Sequence, residues 1–406
     1  MITLADVQAA RAQIGGALYE SPCVYSETMS RLAGARVFFK LDNLQMTGSF
    51  KERGALNKLL SLAMSDRQRG VIAASAGNHG LAVAFHAQRL GIPATIVMPR
   101  FAPLVKVSWA RRYGAEVILL GADFDEALAE ARRLQDERGS VFIPAFNDPT
   151  VIAGQGTLGL ELLEQAPDLD AVLAPVGGGG LIGGLALALK ESGFTGRVIG
   201  VQAERVAGMR AALTAGSPVP LPPATTIADG IAVRRVGELT LPLVQRYVDD
   251  IVTVSEAELA HAILLFLENE KTVVEGAAAT TLAALLHRPL GLAGQTVVLI
   301  VSGGNIDMNV IARVIEKGLV QEGRLIRISL IVTDRPGALA RVSMLVAEQG
   351  ANIEEIVHTR GFSRAEIGES EITLTLETYG PQHIADVLAA LRAAGYQVFE
   401  EQLGPP

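Results

Sequence analysis

The sequence predicts an α/β protein in two parts. A large domain with parallel sheets spans residues 1–320, and a small ferredoxin-like βαββαβ domain spans 326–401. Two observations carry this. Up to about residue 320, short β-branched runs alternate with longer amphipathic segments, which is the order of parallel strands joined by crossover helices. After KGLVQEGR (317–324), a polar, glycine-containing stretch read as a linker, the order becomes strand, helix, strand, strand, helix, strand.

The elements follow in order. MITLADVQAARAQIGG carries charge early and reads as an amphipathic helix without the apolar core of a signal peptide. Strands are expected at RVFFKL (36–41), GVIAAS (70–75), PATIVMP (93–99), AEVILLG (115–121) and VFIPAF (141–146). Further strands are expected at AVLAPV (171–176), RVIGVQA (197–203), DIVTVS (250–255) and QTVVLIVS (295–302). Several are near-continuous apolar runs, the mark of parallel strands covered on both faces. The uncharged window Ala171–Leu189 is as long as a bilayer span, but Pro175 and a glycine block interrupt it, so strand, loop and helix explain it better. In the small domain, Pro336 and Gly337 stand where the first strand turns into the first helix.

Composition narrows the function classes. The chain has 406 residues, 49% apolar and 19% charged, enough to build large cores. With 35 basic and 43 acidic residues it carries a net charge of −8 and no basic block, so neither nucleic acid nor a membrane surface is an expected partner. The single cysteine, Cys23, forms no internal disulfide, which fits a reducing, cytoplasmic setting. The six histidines show no metal-ligand spacing, and no metal site is assigned.

Four loops hold the chemistry. In Thr47-Gly48-Ser49-Phe50-Lys51-Glu52-Arg53-Gly54, the S-x-x-E spacing of Ser49 and Glu52 predicts a capping box and a helix start. Lys51 then sits in the first turn, where the helix dipole favours the neutral amine that attacks carbonyls and forms Schiff bases. A lone lysine is ordinarily a solvated surface residue; Phe50 and three further loops change that weighting. Ser75-Ala76-Gly77-Asn78-His79-Gly80 lies between a strand and a helix, where backbone amides attract an anion such as a carboxylate, or simply form a capped polar turn. Gly177-Gly178-Gly179-Gly180-Leu181 follows AVLAPV and opens a helix, as a phosphate cradle does. Gly178, Gly180 and Gly183 also satisfy G-x-G-x-x-G, with Glu204 about 20 residues on, so a dinucleotide site competes at this point. Ser302-Gly303-Gly304-Asn305 ends the strand QTVVLIVS and offers a hydroxyl either to a ring nitrogen or to a helix N-cap. Together the loops supply a Schiff-base lysine, a carboxylate loop, a phosphate loop and a ring-nitrogen partner. Those are the requirements of pyridoxal 5′-phosphate. A dinucleotide enzyme has no use for Lys51.

The stretches TGSFKERGA (47–55), SAGNHG (75–80), PVGGGGLIGG (175–184), TIADGIAVRRVGELT (226–240), SGGN (302–305) and DRPGALARV (334–342) resemble the threonine ammonia-lyases (threonine dehydratases) of the fold type II pyridoxal phosphate enzymes, followed by an ACT domain. The resemblance covers essentially the whole chain. It implies a tryptophan synthase β-like domain of two open sheets, with a smaller subdomain over about 55–150, and deamination of L-threonine to 2-oxobutanoate and ammonia. L-Serine would give pyruvate. A serine or threo-3-hydroxyaspartate ammonia-lyase is the nearest alternative, and a non-catalytic amino-acid-binding regulator a more distant one.

The resemblance also implies roles. Lys51 holds the cofactor and acts as the base at Cα, with Ser75 beside it. Phe50 packs on the cofactor ring, Asn78 bonds the ring oxygen, and Ser302 partners the pyridine nitrogen. Gly177, Gly178, Gly179, Gly180 and Leu181 cradle the phosphate, and Ala228-Asp229-Gly230 lines the cofactor edge. The substrate carboxylate goes to Ser75, Ala76, Gly77, Asn78 and His79. Related serine racemases carry a second serine where this chain has Ala76, so one-base chemistry and poor racemisation are expected. The ACT domain implies an amino-acid effector at Asp334, Pro336, Gly337 and Ala338, with isoleucine the first to try. A homo-oligomer, dimer or tetramer, is implied as well.

Overall fold

A computed structural model describes residues 2–102, 104–166 and 168–401. The chain divides into two compact units at Met308/Asn309. Its strands are β1 (Cys23–Ser26), β2 (Arg36–Leu41), β3 (Val71–Ala74), β4 (Ala94–Met98), β5 (Glu116–Leu119), β6 (Val141–Phe142) and β7 (Ala171–Pro175). They continue with β8 (Arg197–Ala203), β9 (Asp250–Val254), β10 (Thr296–Val301), β11 (Leu325–Thr333), β12 (Asn352–Thr359), β13 (Glu369–Glu377) and β14 (Gln397–Glu400).

The first unit holds two open sheets. The larger has the order β1-β2-β10-β7-β8-β9 and is parallel except for the antiparallel edge strand β1. The smaller has the order β5-β4-β3-β6 and is parallel throughout. Every residue of β3, β7 and β10 is buried, as their unbroken apolar runs require of strands covered on both faces. Strand order positions the site. β10, late in the chain, inserts between β2 and β7. The loops that follow these three parallel neighbours therefore leave the same edge of the sheet, where ligands of open α/β sheets collect. They are the loops of Lys51, Ser302 and Gly177.

The second unit has an antiparallel sheet of order β12-β13-β11-β14 with helices Ala338–Glu348 and Pro381–Ala393, the ferredoxin-like order expected from βαββαβ. Ile328, Leu330, Val342, Val346, Ile372, Leu374 and Leu391 form its core.

Three local expectations change. VFIPAF is a strand only over Val141–Phe142; Pro144 has no N–H for a ladder, and the chain turns towards Lys51 instead. KGLVQEGR is largely not a linker, because helix Met308–Gln321 runs through it and buries Gly318. The short edge strand β1 was not expected; it covers the free side of β2.

Candidate active site

Lys51 opens the helix Lys51–Leu60. Its Nζ donates a 2.9 Å hydrogen bond to the carbonyl of Ala145 and stands 5.1 Å from the centroid of the Phe50 ring. Burial pushes the amine down to about 8, with Glu275 acting in the opposite direction. The expected capping box does not form. Phe50, not Ser49, is the N-cap residue, and no side chain caps this helix. Glu52 turns instead into the core, where one oxygen accepts the Thr47 N–H and the other pairs with His86 Nε2 at 3.0 Å. Ser49 forms an isolated antiparallel bridge with Gly303. Phe50 N–H donates to Ser302 O (2.9 Å) and Gly304 N–H to Gly48 O (2.9 Å), so the lysine and serine loops are laced backbone to backbone. Gly48 has φ +75°, and a Cβ there would lie 2.6 Å from Asn305 Oδ1, so both its backbone and its contact demand glycine.

The second loop leaves β3 and opens helix Asn78–Arg89. Ser75, Ala76, Gly77 and Asn78 are half-buried. Ser75 Oγ accepts the Gly77 N–H at 3.2 Å, and Ala76 packs against the small sheet's core. The His79 side chain is buried and bonds Ile143 O through Nε2 (2.8 Å). Burial and the nearby Lys51 lower its ring to about 3, so it is neutral and Nε2 carries the proton. Of His79, then, the backbone rather than the imidazole is presented by the loop.

Asn78 shows a residue that the sequence reading missed. Its Nδ2 donates to both oxygens of Glu275, each at 2.9 Å, and its Oδ1 accepts from Asn305 Nδ2 at 2.8 Å. Asn305 also donates to Thr47 O at 2.7 Å. Glu275 is 3% exposed; burial and then Asp229 raise its carboxyl to about 7. Its only sequence signal is an acid placed between the apolar TVV and the small-residue helix Gly276–His287.

The third loop begins helix Gly180–Glu191 with Gly179 as N-cap at φ +93°. A Cβ on Gly178 would collide with the Phe146 ring, and Gly178 O accepts both Thr240 Oγ1 (2.6 Å) and Gly237 N–H (3.2 Å). The loop is thereby pinned, with the free N–H groups of a helix start at its tip. Ser302 is 1% exposed, and its Oγ has no hydrogen-bond partner among the described residues. An orphaned buried hydroxyl beside a glycine cradle and a low-pKa lysine fits a phosphorylated pyridine aldehyde. Among the described residues no His/Cys/Asp/Glu group fit to hold a metal is found.

Residues 14–303 match the pyridoxal-phosphate dependent enzyme family, and residues 326–395 match the ACT domain. The chain belongs to the pyridoxal-phosphate dependent enzymes. It is similar to L-threonine ammonia-lyase of Thermotoga maritima, 48% identical over 98% of this chain and 99% of that protein. Among solved structures, the processed form of threonine deaminase isoform 2 from Solanum lycopersicum aligns with TM-score 0.73 and 37% identity, covering 77% of this chain and 91% of that one. Maize serine racemase aligns with TM-score 0.74 and 34% identity, covering 79% of this chain and 99% of that one. Membership removes the dinucleotide alternative. Gly183 instead sits 3.4 Å (as a built Cβ) from Leu243 of the neighbouring helix, and Glu204 faces Arg288 at 3.5 Å.

In the ACT unit, Gly337 caps helix Ala338–Glu348 with φ +88°, and Ala338 is buried. Asp334 accepts two bonds from Arg360, at 2.8 and 3.0 Å. That hydrogen bonding holds its carboxyl below the ordinary range. No described helix is long and apolar enough to cross a membrane.

Proposed function

We propose that the chain is an L-threonine ammonia-lyase, forming 2-oxobutanoate and ammonia from L-threonine and pyruvate from L-serine, with its ACT unit sensing an amino acid. The observation that carries this is the Lys51 amine, lowered to about 8 and bonded to Ala145 O, on a loop laced to that of the orphaned Ser302 hydroxyl, whose strand neighbours the one leading into the glycine loop. The near full-length similarity to a protein named L-threonine ammonia-lyase supports the substrate.

The cofactor, when bound, supplies an electron sink for the bond electrons at Cα. Lys51 would hold its aldehyde carbon, Gly177–Leu181 its phosphate, Phe50 its ring face, and Ser302 its ring nitrogen. A neutral hydroxyl at Ser302, in place of a carboxylate, would leave that nitrogen less protonated, which would suit elimination. The Ser75–His79 amides would orient the substrate carboxylate, and the Lys51 amine, freed once the substrate's own amine takes its place, would take the Cα proton as the β-hydroxyl picks up a proton and leaves as water. Ala76 has no proton to deliver to the opposite face, so little D-serine is expected from L-serine. Asp334, Pro336, Gly337 and Ala338 form the proposed effector turn, and a dimer or tetramer the proposed assembly.

The test is 2-oxo acid release from L-threonine and L-serine, side by side, with pyridoxal phosphate present. Fast 2-oxobutanoate is expected, with a rate that responds to isoleucine. Release from serine alone, or from neither, would overturn the threonine reading.

A further inference from the structure

Lys106 lies on helix Leu104–Arg112, which follows β4 of the small sheet, and Asp229 lies on the turn Asp229–Ile231 in the large-sheet half of the same unit. Their Nζ and Oδ2 are 2.8 Å apart, so the pair spans the two halves. In this pair the Lys106 side chain is only 14% exposed while that of Asp229 is 59% exposed. The covered ammonium reaches inward. It stands 4.0 Å from where a Cβ on Gly77 would be, in the loop proposed for the substrate carboxylate. The residue after Asp229, Gly230, brings its own built Cβ to 3.2 Å from Glu275 Oε1. Both charges act on Glu275, with Asp229 raising its carboxyl and Lys106 lowering it. Lys106, Asp229, Gly77 and Glu275 thus border one space.

We propose that Lys106 and Asp229 form a side-chain-selecting pair at this site. Asp229 occupies the ammonium, so a β-hydroxy amino acid with a neutral side chain is admitted. One with a side-chain carboxylate finds no free cation and faces Asp229 and Glu275. This is exclusion by unpaired like charge as much as selection by fit. The inference rests on the ammonia-lyase reading and names the feature that restricts its substrate class. Freed of Asp229, Lys106 would favour a β-hydroxy dicarboxylic amino acid. Such a substrate loses its β-hydroxyl and Cα proton as water, and hydrolysis of the resulting imine takes water back and releases ammonia. L-threo-3-hydroxyaspartate would give oxaloacetate.

The experiment compares the holoenzyme with Asp229→Asn, Lys106→Met and the double variant, on L-threonine and on L-threo-3-hydroxyaspartate. The expected result is a rise of about tenfold in the kcat/KM ratio of hydroxyaspartate to threonine for Asp229→Asn, lost in the double variant. Lys106→Met alone lowers that ratio and raises KM for threonine more than it lowers kcat, because Asp229 then faces the substrate carboxylate uncompensated. It also carries the test if Asp229→Asn does not fold. A ratio unchanged in both single variants, or a gain that survives the loss of Lys106, would overturn the pair. Titration of the cofactor's visible band with each amino acid reads the same preference in binding. A wild type inert towards threonine would therefore sink the threonine reading without hiding the result for the pair.

Discussion

At the residue scale, the site works by burying polar groups away from water. Lys51 is the clearest case: in water its ammonium would lose its proton near 10.5, and burial brings this to about 8. Capture of the cofactor's aldehyde needs the neutral amine. Its rate in the apo-chain should therefore rise with pH to half-maximum near about 8 and fall below it as the amine protonates; stopped-flow growth of the visible band measures this, and a midpoint at the ordinary 10.5 would contradict the burial argument. Ser302 is the second case. Its Oγ bonds nothing among the described residues, so Ser302→Ala should leave the melting temperature of the apo-chain nearly unchanged. The same change should weaken cofactor affinity by about tenfold, the worth of about one hydrogen bond, measured by equilibrium titration. These residues were legible because each follows a strand end in a short motif. Glu275 was not, since an isolated acid before a helix is ordinarily a surface residue. Only the chain reversal that brings it to Asn78 shows its place.

At the element scale, loops succeed strands because strand ends are where the sheet presents helix starts. The glycine loop after β7 is tight in a way a sequence does not show. Gly178→Ala would drive a methyl into the Phe146 ring. The expected cost is about 1–3 kcal/mol by urea unfolding, with cofactor affinity reduced as well, since the same loop is the proposed phosphate cradle. The N-terminal helix obeys a capping rule that fails at Lys51. At Thr3 and Asp6 both box bonds form on the surface. At Ser49 the same spacing fails because Glu52 is 0% exposed and its carboxylate is better satisfied by Thr47 and His86 inside the core. Local pattern decides where water is the alternative partner. Tertiary partners decide where it is not.

At the scale of the whole catalytic unit, a buried ionic network ties three elements behind the lysine. Arg53, 1% exposed, bonds Asp42 at 2.7 and 2.9 Å and Glu161 at 2.5 and 2.8 Å. Lys40 of β2 bonds Glu161 at 2.5 Å. Burial works against the charge of Asp42, yet Arg53 and Lys40 hold its carboxyl below the usual range. The network joins the end of β2, the Lys51 helix and the helix Pro149–Gln165, so the lysine is held from behind. Arg53→Met leaves two carboxylates buried without their main partner and should cost about 3–5 kcal/mol in urea unfolding. A loss under about 1 kcal/mol would show that water enters the network and screens it.

The sequence by itself determined the alternation of strands and helices, the βαββαβ order of the second unit, and the residues of the four loops. Those rest on local periodicity and on short glycine motifs, which a chain carries in one dimension. The tertiary structure alone decided three things. It placed β10 between β2 and β7, which sets Ser302 beside Lys51. It brought Glu275 and Asn305 to Asn78, and Lys106 to Asp229, across 197, 227 and 123 residues of chain. It also turned Glu52, expected as the capping-box partner of Ser49, and its neighbour Arg53 into buried anchors. Such contacts depend on which elements become neighbours when apolar faces are covered, and no local pattern encodes that choice.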